Sequence, residues 1–232
     1  VGMRTVHASA GMPSCSGSVV QTSVVPALTT RTKTRTASAA AANHGHSSLF
    51  TTIGPVAAFT PWNFPVAIPI WKAAPALAAG NAVVIKPSEF ATKTAELVGE
   101  LLAKVLPSGI FTVVPGGPEV GQSLLDNCDV ISFTGSVSVG NKVVARAAEL
   151  GKPVQAEMGG LNPAIVLPDA DLDLLASHFT IAAFSYSGQK CTATRRVIIV
   201  GDEARKKEVV AALVSATEKL TIGDANNEAT FI

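Results

Sequence analysis

Three residues with distinctive types and surroundings offer chemistry in this sequence. Cys191 stands in GQKCTA (188–193), just after a Ser-Gly turn and beside Lys190, in a chain with three cysteines. A thiolate is a strong nucleophile suited to covalent catalysis at a carbonyl carbon; a buried free cysteine acting as a small hydrophobe is the plain alternative. Glu157 lies in QAEMGG, an apolar and glycine-rich setting at a strand end. Burial there would raise its pKa and favour duty as a base, whereas exposure to water is the ordinary state of such a residue. Asn63 is fixed between prolines in FTPWNFP (59–65). A buried amide must find partners, and beyond that structural need it can donate to a developing oxyanion.

Two glycine-rich turns add a second kind of chemistry, because glycines after a strand let backbone amides approach a phosphate at a helix N-terminus. GGPEVG (116–121) does not fit G-x-G-x-x-G and alone is an ordinary turn. GSVSVGNK (135–142) has the G-x-x-x-x-G frame of a phosphate loop, yet Asn141 stands where that motif needs Lys and Lys142 where it needs Ser or Thr. A kinase or NTPase is disfavoured, and a helix-opening turn able to meet a phosphate remains. A thiol hydrolase would need a histidine at Cys191. Of His7, His44, His46 and His178 only the last falls in strongly patterned sequence, and the residues around Cys191 lack the caspase or papain form.

Alternating strand and helix patterns must position these groups. IGPVAAF (53–59) reads as a strand, 72–79 as a helix and NAVVIKP (81–87) as a buried strand. A helix follows over 92–105, then strands FTVVPG (111–116) and VISFTG (130–135), then a helix over 139–150. PVQAEMGG, NPAIVLP and RRVIIVG give three more short strands, with helices near 171–185 and 204–220. This order predicts an α/β fold, a Rossmann-like doubly wound parallel sheet with a second sheet beginning after Gly160.

At 232 residues, 47% hydrophobic and 15% charged, the chain has ample material for a core, which excludes wholesale disorder. Eighteen Lys and Arg against 17 Asp and Glu leave no basic field to gather nucleic acid or an anionic membrane, so a small molecule is the expected partner. Cys15, Cys128 and Cys191 are too widely spaced for a disulfide framework or a zinc site; no metal is expected, and a reducing cytoplasmic setting is. Residues 1–47 differ from the rest, with 14 Ser and Thr, four basic residues and no acid. That composition resembles a transit peptide without its amphipathic period, and a poorly ordered extension is the expectation. No charge occurs from Thr36 to Trp71, but Pro55, Pro61, Pro65 and Pro69 argue against a membrane helix, so the segment reads as a soluble strand and loop.

Taken in order, FTPWNFP, NAVVIKPSE, ISFTGSVSVG, AEMGG and GQKCTA resemble the aldehyde dehydrogenase superfamily over about 53–223. The resemblance implies oxidation of an aldehyde to a carboxylic acid, with Cys191 attacking the carbonyl to form a thiohemiacetal. Asn63 and the Cys191 amide would hold the oxyanion, and hydride transfer to a nicotinamide would leave a thioester for water activated by Glu157. Lys86, Ser88 and Glu89 match positions that hold the adenosine ribose, Lys86 also supporting the active geometry. Glu89 favours NAD over NADP, because a carboxylate accepts from a 2′-hydroxyl and repels a 2′-phosphate. Phe133, Gly135, Ser136, Val139, Trp62, Gly117 and Gly121 match the adenine and pyrophosphate wall. Phe59, Thr60, Pro61 and Met158 complete the expected cofactor path. The implied organisation is an atypical head (1–47), a dinucleotide-binding domain (48–158) and a partial catalytic domain with the nucleophile (159–232).

The head before Ser47 matches nothing in the family pattern by eye, and Leu161 stands where many relatives have Lys. The family's Glu-x-Phe segment, which contacts the nicotinamide ribose, lies beyond Ile232. The expectation is a truncated chain that binds cofactor weakly and turns over slowly or not at all, the complete enzyme being a homo-oligomer. TPWNFPVAIPIWKAAPALAAGNAVVIKPSE with GQKCTATRR looks most like enzymes that oxidise α-ketoglutaric semialdehyde; succinate semialdehyde or a general aliphatic aldehyde is nearly as good a match. A silent NAD-binding or oligomerisation module stands as the alternative function.

Overall fold

The most apolar run after the prolines, VAAFT, becomes the central strand, buried at every position because both of its faces and both of its edges are covered. A computed structural model describes residues 52–232, and the expectations about the head lie outside them. The elements are β1 (Val56–Thr60), α1 (Ala67–Ala78), β2 (Val83–Pro87), a 3-10 turn (Glu89–Ala91), α2 (Thr92–Ala103), β3 (Phe111–Val113), α3 (Pro118–Asn127) and β4 (Val130–Gly135). They continue with α4 (Val137–Glu149), β5 (Val154–Met158), β6 (Asn162–Val166), α5 (Leu172–Phe184), a second 3-10 turn (Ser185–Gly188), β7 (Thr194–Ile199) and α6 (Glu203–Glu218).

All pairings in the first sheet are parallel, in the order β3-β2-β1-β4-β5. The chain direction of winding reverses between β1 and β4, the point at whose carboxyl edge such sheets take ligands. Strand alternation gives the sheet two distinct faces. On one, Ala57, Phe59, Ile131 and Phe133 pack beneath Leu124 and Leu125 of α3 and Val143 and Ala147 of α4. On the other, Val56, Ala58, Val83 and Ile85 meet Ala73 of α1. A separate parallel pair, β6-β7, begins after Gly160 as expected, and its small core joins Val166 to Val209 and Leu213 of α6.

The α/β expectation is met, with two local corrections. Helix α3 was not expected; residues 116–121 read as an isolated turn, whereas Pro118 at the first helical position and Glu119 in the first turn are helix-starting residues. Helix α1 begins at Ala67 rather than 72 and includes Pro69 and Pro75. Pro69 falls in the first turn, where a backbone N–H has no helical partner to lose. Among the described residues no helix is long and apolar enough to cross a membrane.

Candidate active site

The carboxyl ends of β1, β2, β4 and β5 bring Thr60, Pro87, Gly135 and Met158 to one edge of the sheet. The chain leaves β2 across that edge, where the Ser88 N–H donates to the Thr60 carbonyl at 2.8 Å. Ser88 then caps the 3-10 turn and leaves Glu89 exposed. Helices α3 and α4 both start at the same edge, α3 capped by Gly117 and α4 by Ser136, whose Oγ accepts from the Val139 N–H at 3.3 Å. Gly140 lets α4 lie close to the sheet, since a Cβ there would strike the Met158 sulfur and the Phe133 ring.

The residues expected to hold a dinucleotide therefore gather on the α3/α4 side and its edge. Phe59 and Phe133 lie within the core beneath that edge, their rings 6.1 Å apart, while Trp62 and Val139 are exposed above it. Lys86, aligned with Phe59 across the β1/β2 pair, points to the same side, and its Nζ donates to the Pro87 carbonyl at 3.1 Å. Burial pushes its amine below the usual lysine range, opposed by the charges of Glu89 and Glu119. One observation bears directly on an added group: Thr60 Oγ1 is buried at this edge with no hydrogen-bond partner among the described residues. A buried hydroxyl without a partner is costly, and a polar ligand on the edge would satisfy it.

The other face carries the residues expected to act as nucleophile and base. Glu157 aligns with Thr134 on β4, on the side opposite Lys86. It is exposed, the ordinary state for such a residue rather than the buried one that would raise its pKa, because no helix covers β5 on this side; its Oε1 accepts from Gln155 Nε2 at 2.9 Å. Glu157 and Cys191 line one cavity of about 650 Å³. No histidine is among its lining residues, so the cavity itself offers no support to a thiol hydrolase.

The loop that carries Cys191 is held by its carbonyls. Asn63 Nδ2 donates to the Gln189 carbonyl at 2.8 Å, two residues before the thiol, and the Phe64 ring sits 5.1 Å from that of Tyr186. Asn162 Nδ2 donates to the carbonyls of Cys191 and Ala193, at 2.5 and 3.1 Å, and Arg195 Nη2 to that of Gly188 at 3.0 Å. Tyr186 and Ser187 adopt left-handed backbone angles, φ 57° and 54°, which cost side-chain-bearing residues steric strain. Lys190 turns away from the thiol; its Nζ donates to Ser185 Oγ and to the Ile181 carbonyl at the end of α5. Of the four residues expected to act in catalysis, Cys191 and Glu157 share the cavity, Asn63 is bonded to the loop that carries Cys191, and Lys86 lies across the sheet.

A nucleotide-type edge, a thiol and a carboxylate in one cavity, and an amide tied to the thiol's loop can be compared with known proteins. The sequence profile described as "Aldehyde dehydrogenase family" matches residues 12–232. The chain belongs to the aldehyde dehydrogenase family. The match starts at residue 12, so most of the head that looked foreign to the family pattern falls within it, a correction to the reading by eye. α-Ketoglutaric semialdehyde dehydrogenase of Bacillus subtilis is 46% identical over 188 residues, covering 78% of this chain and 38% of that relative. The peroxisomal aminoaldehyde dehydrogenase 1 of Pisum sativum is 45% identical over 180 residues, covering 76% of this chain and 35% of the relative. The structure of a Mycobacterium tuberculosis aldehyde dehydrogenase complexed with NAD+ superposes with a TM-score of 0.74 at 38% identity, over 78% of this chain and 38% of that one. The chain thus spans little more than a third of the length of these family members.

Sequence reasoning missed three residues in the cavity. Lys72, Ser132 and Gln155 form a bridge: Lys72 Nζ donates to Ser132 Oγ at 2.8 Å and to Gln155 Oε1 at 3.2 Å, and Ser132 Oγ donates to Gln155 Oε1 at 2.8 Å. The signal was available as alternation, since Ser132 and Thr134, like Gln155 and Glu157, recur every second residue and share a face.

Proposed function

We propose that this chain carries the cofactor-binding and nucleophile-bearing parts of an NAD-dependent aldehyde dehydrogenase, divided into a dinucleotide-binding domain (48–158) and a partial catalytic domain (159–232). The observation that carries the reading is the shared cavity of Cys191 and Glu157, with Asn63 bonded to the loop beside the thiol. Cys191 Sγ attacks the aldehyde carbonyl. The second N–H of the Asn63 amide and the Cys191 N–H are the donors available to the oxyanion. Once hydride has left the adduct carbon, Glu157 takes a proton from the water that attacks the remaining thioester, releasing the acid and restoring the thiol. NAD, when bound, supplies the hydride acceptor.

Thr60, Ser88, Gly117, Gly135 and Ser136 are the residues that would hold the dinucleotide on the strand edge, with Phe59, Pro61, Trp62, Gly121, Phe133, Val139 and Met158 forming its surroundings and Lys86 supporting the ribose side. Glu89 is an exposed carboxylate where β2 ends, which supports NAD over NADP. The substrate is an aldehyde. A semialdehyde such as α-ketoglutaric semialdehyde is supported by the motif likeness, although a relative named for aminoaldehydes is within one per cent in identity of the one named for the semialdehyde. A homo-oligomer is part of the proposal, by family likeness. A reducing, cytoplasmic setting is part of the proposal, on the wide spacing of the cysteines in the sequence.

The test is NADH formation with a panel of aldehydes by the chain and by Cys191→Ala, together with NAD calorimetry and the mass of any aldehyde adduct on Cys191. Turnover or a thiol adduct, lost in Cys191→Ala, supports the reading. Turnover unchanged by the substitution overturns it, as does absence of NAD binding, turnover and adduct together.

A further inference from the structure

Lys72 is half-buried on α1, and with Ile68, Trp71 and Val130 it lines the same cavity as Cys191 and Glu157. Its hydrogen-bond partners, Ser132 Oγ and Gln155 Oε1, are both neutral oxygens. No carboxylate lies within ion-pair distance of it among the described residues. Among the described residues a cation held this way has lost water without gaining a counter-charge, which favours the neutral amine. Burial lowers the Lys72 pKa to about 8, the more distant charge of Glu157 opposing. The titratable groups that share the cavity with it are Glu157 and Cys191. A neutral amine with two N–H groups donates both, to Ser132 and Gln155, and keeps its lone pair free as a nucleophile.

We propose that Lys72 is a second covalent site for aldehydes in this cavity, forming a reversible imine independently of the Cys191 thiol. The inference rests on the aldehyde reading above for the identity of the electrophile. The Lys72 nitrogen attacks the aldehyde carbon, its proton passing to the carbonyl oxygen to give a carbinolamine. Loss of water, taking the hydroxyl and the second nitrogen proton, leaves R–CH=N–Lys72. Water reverses the sequence and returns the aldehyde unchanged, so no oxidant is involved and the adduct is a holding state.

The experiment treats the chain with propanal and cyanoborohydride, which reduces the imine to a stable propyl-lysine, and reads each lysine by peptide mass spectrometry. It uses preparations in which fully buried Cys128 resists iodoacetamide, a sign that the large sheet is folded. At pH 8 about half of an amine with this pKa is neutral, against under about one in a hundred of an ordinary lysine. Lys72 is therefore expected to carry at least about tenfold more label than exposed Lys206, Lys207 and Lys219, with a labelling midpoint near pH 8. Cys191→Ala should keep the label, and Glu157→Gln should move the midpoint down by removing the charge that raises it. Labelling of Lys72 no greater than that of the surface lysines, or loss of its label in Cys191→Ala, overturns the inference. A Cys191 adduct without a Lys72 label sinks this inference and leaves the dehydrogenase reading standing; a Lys72 label with neither NADH formation nor a Cys191 adduct does the reverse.

Discussion

The two sheets differ in how completely they bury what they are made of. In the five-stranded sheet, β1 is buried throughout, and Ile85, Ile131 and Leu124 are almost wholly withdrawn from solvent between helices on both faces. In the β6-β7 unit, Val166, Val209 and Leu213 form a small core, while Ile165, Ile181 and Leu174 each keep more than half of their surface exposed. The proposed cofactor edge therefore stands on a rigid base, and the nucleophile stands on a thinly covered one. Local opening costs less where fewer apolar contacts are lost, so in this chain the β6-β7 unit is expected to open more readily than the five-stranded sheet.

The two thiols test this contrast most directly. Cys128 lies in the core of the first sheet and Cys191 is exposed in the second region. Iodoacetamide should modify Cys191 faster than Cys128 by a factor of about 10³ or more, because Cys128 becomes accessible only through near-global unfolding. Comparable rates measured by peptide mass spectrometry would break the comparison. Next in size, Ile131→Ala should cost about 2–5 kcal/mol in denaturant unfolding, by removing a fully buried side chain from the central core.

Alkaline pH provides a further probe of the same core. Burial pushes the Cys128 thiol up to about 11 from an ordinary value of 9.0, so the folded state holds its proton longer than the unfolded chain does. Its contribution is complete below about pH 9 and is lost as pH rises toward 11, a fall of roughly 2–3 kcal/mol. Cys128→Ala should remove that part of the pH dependence in denaturant titrations. The smallest effects are expected at helix caps. Ser136→Ala should lower global stability by about 1 kcal/mol, whereas Asp202→Ala, which uncaps α6, should show mainly as faster hydrogen exchange in α6.

Much of this architecture is legible in the chain. The alternation of VAAFT, VVIKP and VISFTG with helical runs fixes parallel strands, and the break at Gly159 and Gly160 separates the sheets. Helix α3 escaped notice because its glycines and proline resemble a turn until Pro118 is recognised as a first helical residue. Cys191 and Asn63 stand out by local context. Glu157 lies exposed, the ordinary state for its type, but the choice between that and burial depends on which helices cover β5, which its own neighbours do not reveal. Lys72 was hidden for a related reason: its partners Ser132 and Gln155 come from strands 60 and 83 positions away, and only the folded sheet puts them beside α1.

The bond from Asn63 to the Gln189 carbonyl joins residues 126 positions apart. Closing so long a span of chain is entropically unfavourable until the intervening strands have paired, so this contact is expected to form late in folding. A chain emerging from synthesis would display its nucleophile only after the β1 end of the molecule has waited for more than half of the remaining sequence. The Cys191 loop and its Asn63 anchor are thus expected to meet only once the scaffold between them exists.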